Sequence, residues 1–77
     1  MSARPVKHSV TLRGHRTSIS LEDEFWQELR DLAQEMDMPI NALVAQIDAD
    51  RGLEAGLASA IRVFVLRTLK ESLPRAE

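Results

Sequence analysis

Between Val6 and Leu21 the chain alternates with a period of two. Val6, His8, Val10 and Leu12 stand against Lys7, Ser9, Thr11 and Arg13. Beyond Gly14, Thr17, Ile19 and Leu21 stand against Arg16, Ser18 and Ser20. Alternation rich in Val, Ile and Thr is the pattern of a strand with one dry and one wet face. It predicts a short strand over His15–Leu21. Ahead of it, Val6–Arg13 reads as either a further strand or an extended basic arm, and Gly14 marks a turn or bulge. From Glu22 the spacing becomes helical. Phe25, Leu29, Leu32 and Met36 line one side of an amphipathic helix over Glu22–Met36. Glu22, Asp23 and Glu24 crowd its first turn, where negative charge complements the helix dipole. Asp37-Met38-Pro39 ends it, because the residue before a proline avoids the helical region. A second helix is predicted over Pro39–Asp50, with Ile40, Leu43, Val44 and Ile47 on one face. Arg51 and Gly52 suit its C-terminal end, the glycine as a left-handed cap. A loop through Gly56 leads to a third helix over Leu57–Ser72, stopped before Pro74. There Leu57, Ile61, Phe64, Val65, Leu66 and Leu69 leave only a polar strip of Arg62, Arg67, Thr68 and Lys70, which predicts burial on most sides. No internal repeat or low-complexity tract stands out.

A chain of 77 residues with 44% hydrophobic content makes one small domain and is too apolar for a disordered tail. Having no cysteine excludes disulfides and thiolate zinc sites. No apolar run reaches the roughly 20 residues of a membrane span, and Met1–Arg16 lacks the apolar centre of a signal peptide. These features predict a cytoplasmic protein. A core of this size alone contributes about 3–5 kcal/mol, so self-association is the remaining way to stabilise it.

The net charge of −2 hides a segregation. Met1 to Leu21 holds Arg4, Lys7, Arg13 and Arg16 and no acid. Glu22 to Glu54 holds ten acids against Arg30 and Arg51. Because charge is screened over about 8 Å at physiological salt, this local distribution matters more than the total. Catalytic and metal-binding chemistry find little support. His8 and His15 have no neighbouring acid or cysteine, and no serine sits in a nucleophile-elbow context. The sequence therefore points to no enzyme, metal or cofactor. Glu22, Asp23 and Glu24 are accounted for by the helix dipole, and Trp26 by a core or subunit interface.

A lone short strand needs a partner, which a second copy of the chain supplies most simply. The resulting two-stranded ribbon backed by helices resembles the ribbon–helix–helix (MetJ/Arc-type) DNA-binding family. The resemblance runs through Arg16-Thr17-Ser18-Ile19-Ser20-Leu21, the helix to Met36, the turn at Asp37-Met38-Pro39 and Ile40-Asn41-Ala42-Leu43. The longer string from HSVTLRGHRTSISLEDEFW through ALVAQID to ASAIRVFVL is similar to a bacterial subfamily of small proteins of that family. The resemblance implies a mainly α fold with a short N-terminal β-ribbon. It would form an intertwined homodimer with an extra C-terminal helix: an arm or strand over 1–14, a ribbon–helix–helix core over 15–51, and a helix over 52–77 extending the dimer core. Thr17, Ile19, Leu21, Leu29, Leu32, Leu43, Val44 and Ile47 would build the shared core.

It also implies a transcriptional regulator whose ribbon enters the major groove, about 12 Å wide. Arg16, Ser18 and Ser20, pointing away from the helices, would read bases. Free amides of Ile40, Asn41 and Ala42 would hold phosphate, as helix N-termini do. Pro39 replaces the Ser or Thr cap commoner in the family and removes a donor. Lys7 and Arg13, with Arg4, would add phosphate contacts that are blind to sequence. The alternative function is a protein-interaction module, antitoxin-like or purely dimerising, with little DNA binding. Its third helix would then dock a partner protein instead of joining the dimer core. Residues 6–13 bear on the choice: paired as an outer strand they would make the dimer's sheet four strands wide, which would not enter a groove as a two-stranded ribbon does, whereas as an arm they could track phosphates or reach the minor groove.

Overall fold

In a computed structural model, which describes residues 4–51 and 56–73, the chain forms two strands followed by three helices. They are β1 (Pro5–Leu12), β2 (His15–Glu22), α1 (Asp23–Glu35), α2 (Ile40–Asp50) and α3 (Leu57–Ser72). The strands pair as an antiparallel hairpin, with Val6 opposite Leu21, His8 opposite Ile19 and Leu12 opposite His15. Its loop is two residues long, and both Arg13 and Gly14 have positive φ, 52° and 81°. That is the turn whose twist matches the flanking strands. Gly14 therefore makes a turn and not a bulge, and residues 5–12 are a strand and not an arm. Within the chain β1 takes one edge of β2, because a two-residue turn closes at little cost in entropy; the other edge of β2 is where a second copy's strand would add.

The inner face of the hairpin buries Val10, Ile19 and Leu21 against the helices. Leu29, Leu32 and Ala33 of α1, Leu43, Val44 and Ile47 of α2, and Ile61 and Val65 of α3 complete one core. Thr17, expected in that core, is exposed. It lies near the turn on an open groove shared with Leu12, Leu57 and Ala58, beyond the cover of the helices. His8 packs face to face on Trp26, with ring centroids 4.0 Å apart. The tryptophan is thus half-buried within its own chain.

The helix boundaries follow local chemistry. Met38 N–H donates to the Ala33 carbonyl at 2.9 Å and Asp37 N–H to that of Gln34 at 3.1 Å, with Asp37 left-handed at φ 57°. This is a Schellman end with aspartate in the usual glycine position. Met36, expected on the inner face, is the cap residue beyond the last turn and stays exposed. Pro39 is extended and caps α2 from outside instead of starting it. The proposed caps Gly52 and Pro74 lie outside the described residues. The largest departure is in α3. Only Ile61 and Val65 are buried there, while Val63, Leu66 and Leu69, with the cap residue Leu73 just beyond the helix, face outward. One chain covers a single side of a helix that is apolar nearly all round.

Candidate nucleic-acid interface

The hairpin register sorts the polar residues onto one surface. Across a two-residue loop the flanking pair, Leu12 and His15, is hydrogen-bonded, so alternation makes the outward pairs the non-bonded ones, with side chains closer together. Those outward pairs are Pro5 with Glu22 at the far end, then Lys7 with Ser20, Ser9 with Ser18, and Thr11 with Arg16. The six residues of the last three pairs are exposed. None is acidic, and neither Lys7 nor Arg16 has an ion-pair partner among the described residues. Arg16, Ser18 and Ser20 thus sit side by side on β2 as their spacing predicts. Lys7 sits on the same face, on the neighbouring strand. Ser9 and Thr11 were overlooked as site residues. Their alternation was visible, but only the pairing of β1 with β2 puts them beside Ser18 and Arg16. His15 has inward parity and is exposed only because it adjoins the turn.

In this pattern the backbone groups of the outward residues point sideways, along the hairpin's two edges. On the β1 edge, Thr11 N–H donates to Asn41 Oδ1 at 3.2 Å. On the β2 edge, Arg62 Nη2 donates to the Ser20 carbonyl at 3.4 Å. The start of α2 is therefore fixed at the rim of the polar face. Its amides divide: Ala42 N–H donates to the Pro39 carbonyl at 3.0 Å, while Ile40 and Asn41 N–H have no acceptor among the described residues. The Asn41 side chain spends its oxygen on Thr11 and keeps its NH2 as a donor. The groove beside this helix start carries Asp31 and Asp37 against Arg30. Arg13 leans back over the turn, with Nη2 3.6 Å from Asp48 Oδ2. Asp48 is also held by Arg51 Nε at 2.7 Å.

Glu22, opposite Pro5, has the same outward parity and puts one acid at the far end of this face. Arg62 Nε donates to its Oε1 at 2.9 Å. That hydrogen bond, with help from a backbone N–H, holds the Glu22 carboxyl below the ordinary carboxylate range. Arg62 also lies over the Phe25 ring at 5.9 Å. A single α3 side chain therefore ties the end of β2 to the first turn of α1 and neutralises the acid there. Spacing alone places Arg62 only in the polar strip of α3.

Among the described residues no group of three His, Asp or Glu side chains is placed to hold a metal ion. Among the same residues no helix is long and apolar enough to cross a membrane. A family model described as a ribbon-helix-helix domain matches residues 5–69, which takes in the hairpin and nearly all of α3. No curated protein matches the chain, and no solved structure does.

Proposed function

The chain belongs to the ribbon–helix–helix domain family, and on that premise we propose that it is a homodimeric, sequence-specific DNA-binding regulator of transcription. The observation that carries this reading is the outward face of the hairpin: donor-bearing side chains, two cations, no free acid, and a width of two strands. A ribbon of that width fits the major groove. In this reading Arg16 forks onto the O6 and N7 of guanine, and Ser18 and Ser20 donate or accept at neighbouring base edges. The amides of Ile40 and Asn41, at the rim, meet a phosphate flanking the groove. Ala42, whose N–H is spent on Pro39, contributes by shaping that turn. Arg13 reaches phosphate only by loosening its contact with Asp48, so its share is small.

A titration of labelled mixed-sequence duplex, followed by fluorescence anisotropy, tests the reading. Binding should be clear at about 20 mM salt and fall steeply as salt rises, with a slope set by the number of phosphates neutralised. No binding at the low salt defeats it. Arg16→Ala should then weaken a selected site more than random duplex. Equal loss on both would make Arg16 a phosphate contact. The exposed leucines of α3 favour a second reading, in which that helix docks another protein and the hairpin face stays empty. A chain that captures no duplex at any salt, yet still self-associates, would turn the conclusion to that module.

A further inference from the structure

β2 has one edge that no other described strand covers. Because Arg16, Ser18 and Ser20 form non-bonded pairs with β1, their backbone N–H and C=O groups project along that edge. Arg62 touches only the Ser20 carbonyl there, whose second lone pair stays open. Thr17, Ser18, Ile19 and Ser20, consecutive and of both parities, line one groove with Leu57 and Ala58. Inward and outward side chains share a groove only where it runs along the edge of a strand. A second copy's β2 added in that groove makes a sheet in the order β1–β2–β2–β1. The two β2 strands are then the ribbon, and a β1 strand flanks it on each side.

The width of this sheet decides what β1 meets. Four strands about 4.8 Å apart set the outer backbones about 14 Å from each other, against a major groove about 12 Å wide. The central pair stands over the groove, and each β1 stands over one of its walls. β1 is equipped for a wall. Its outward side chains there are Lys7, Ser9 and Thr11, each an exposed donor and none an acid. Asn41 Oδ1 accepts the Thr11 N–H at 3.2 Å and so ties the start of α2 to the outer edge of β1. The amides of Ile40 and Asn41 therefore lie on the β1 side of the sheet, away from the central pair. Glu22, the acid at the far end of the face, is paired with Arg62.

We propose that β1 is a backbone-binding strand: Lys7, Ser9 and Thr11 of both copies hold phosphates along the two walls of the groove and leave the bases to β2. This rests on the homodimeric DNA-binding reading and extends it to the hydroxyls of Ser9 and Thr11, with a division of labour between the strands. From a sheet seated on both walls, the long Arg16 side chains reach deepest toward the bases.

Anisotropy titrations of the full chain over a range of salt, on a duplex selected from a random pool and on random duplex, test this. The variants are Lys7→Ala, Ser9→Ala combined with Thr11→Ala, and Arg16→Ala for contrast. All lie at exposed strand positions, and circular dichroism checks that each is folded. Lys7→Ala should weaken both duplexes by the same factor. It should also flatten the plot of log affinity against log salt by about 1.8, since each of two neutralised phosphates contributes about 0.9. The double variant should weaken both duplexes equally, by about 10-fold or more, with the slope unchanged, because hydroxyls bind phosphate without neutralising it. Ethylated phosphates on the two walls should block the wild type, and those facing Lys7 should cease to matter in Lys7→Ala. A Lys7→Ala loss that is larger on the selected duplex would make β1 a reader of bases, and an unchanged affinity and slope would make it a solvated strand. Either result overturns the inference, while a selective loss in Arg16→Ala keeps the DNA reading. One chain per site at saturation overturns it too, because a lone hairpin is narrow enough to enter the groove whole. If the wild type binds no duplex at about 20 mM salt, both fall.

Discussion

The hairpin and α3 both turn half of their side chains outward, and the two outward faces are chemical opposites. On the hairpin the outward positions include Lys7, Ser9, Thr11, Arg16, Ser18 and Ser20. On α3 and its cap residue they include Val63, Leu66, Leu69 and Leu73, and Leu66 and Leu73 are more than half exposed. A strand of period two sends alternate side chains to opposite faces, and its wet face can serve a polar ligand without disturbing the core. α3 carries more apolar surface than one chain can cover. On the proposed reading the hairpin face would serve DNA, and the exposed leucines at the end of α3 would meet a second copy of the chain.

The harshest test of this contrast sets one leucine of each region against the other. Leu21 is fully enclosed at the hairpin–helix contact, and Leu21→Ala should cost about 2–5 kcal/mol in urea unfolding. Leu66→Ala should stay within about 0.5 kcal/mol in dilute, monomeric protein, as an exposed substitution does. A gap between the two that widens or narrows with protein concentration would show how much of Leu66 the second copy covers. The next largest effect belongs to the assembly itself. Leu66→Glu combined with Leu73→Glu should halve the mass seen by light scattering while leaving the helical spectrum unchanged. Two buried leucines stabilise a contact by about 3–6 kcal/mol at most, and carboxylates there oppose it. An unchanged dimer mass would remove α3 from the interface.

Most of this contrast could be read from spacing alone, and the exceptions share a cause. The strand and helix positions follow from periodicity, and Leu29, Leu32, Leu43, Val44 and Ile47 are buried where the helical stripes put them. Periodicity says which residues share a face. It does not say which element covers that face. Thr17 has the right parity for the core but lies past the helices, and α3 has the composition of a buried helix without enough chain to bury it. For the same reason Arg16, Ser18 and Ser20 were legible as an outward triplet, whereas Ser9 and Thr11 became part of the face only through their pairing. Asn41, Arg62 and the His8–Trp26 stack depend on contacts between residues 18 to 42 positions apart, and no local pattern encodes those.

A smaller perturbation tests whether the hairpin holds its polar face by local geometry. Gly14 sits at φ 81° with nothing within 4 Å of the place a Cβ would take. Gly14→Ala therefore meets no clash, and its cost is that of the left-handed backbone, about 1 kcal/mol. Thermal unfolding should show that loss, and DNA affinity at low temperature should hardly change. A neutral result would mean that the turn tolerates another backbone form, and the register of the six outward residues would lose its anchor.

The mildest effect lies at the joint between the two regions, where Arg62 of α3 holds Glu22 of β2. The Glu22 carboxyl is held below its ordinary value of 4.5, chiefly by the Arg62 hydrogen bond. A lowered folded-state pKa contributes stability that is present above the ordinary range and lost as pH falls through the lowered value. Glu22→Gln should therefore be slightly less stable than the wild type at pH 7, and the two curves should converge on acidification below 4.5. The pair is partly open to water, so the difference at pH 7 is small, as for most surface ion pairs. The difference between the two proteins isolates the contribution of Glu22. A gap that stays constant from neutral to acid pH would mean that the glutamine perturbs packing against Phe25 and not the ion pair. The tie between the polar face and the apolar helix would then rest on burial alone.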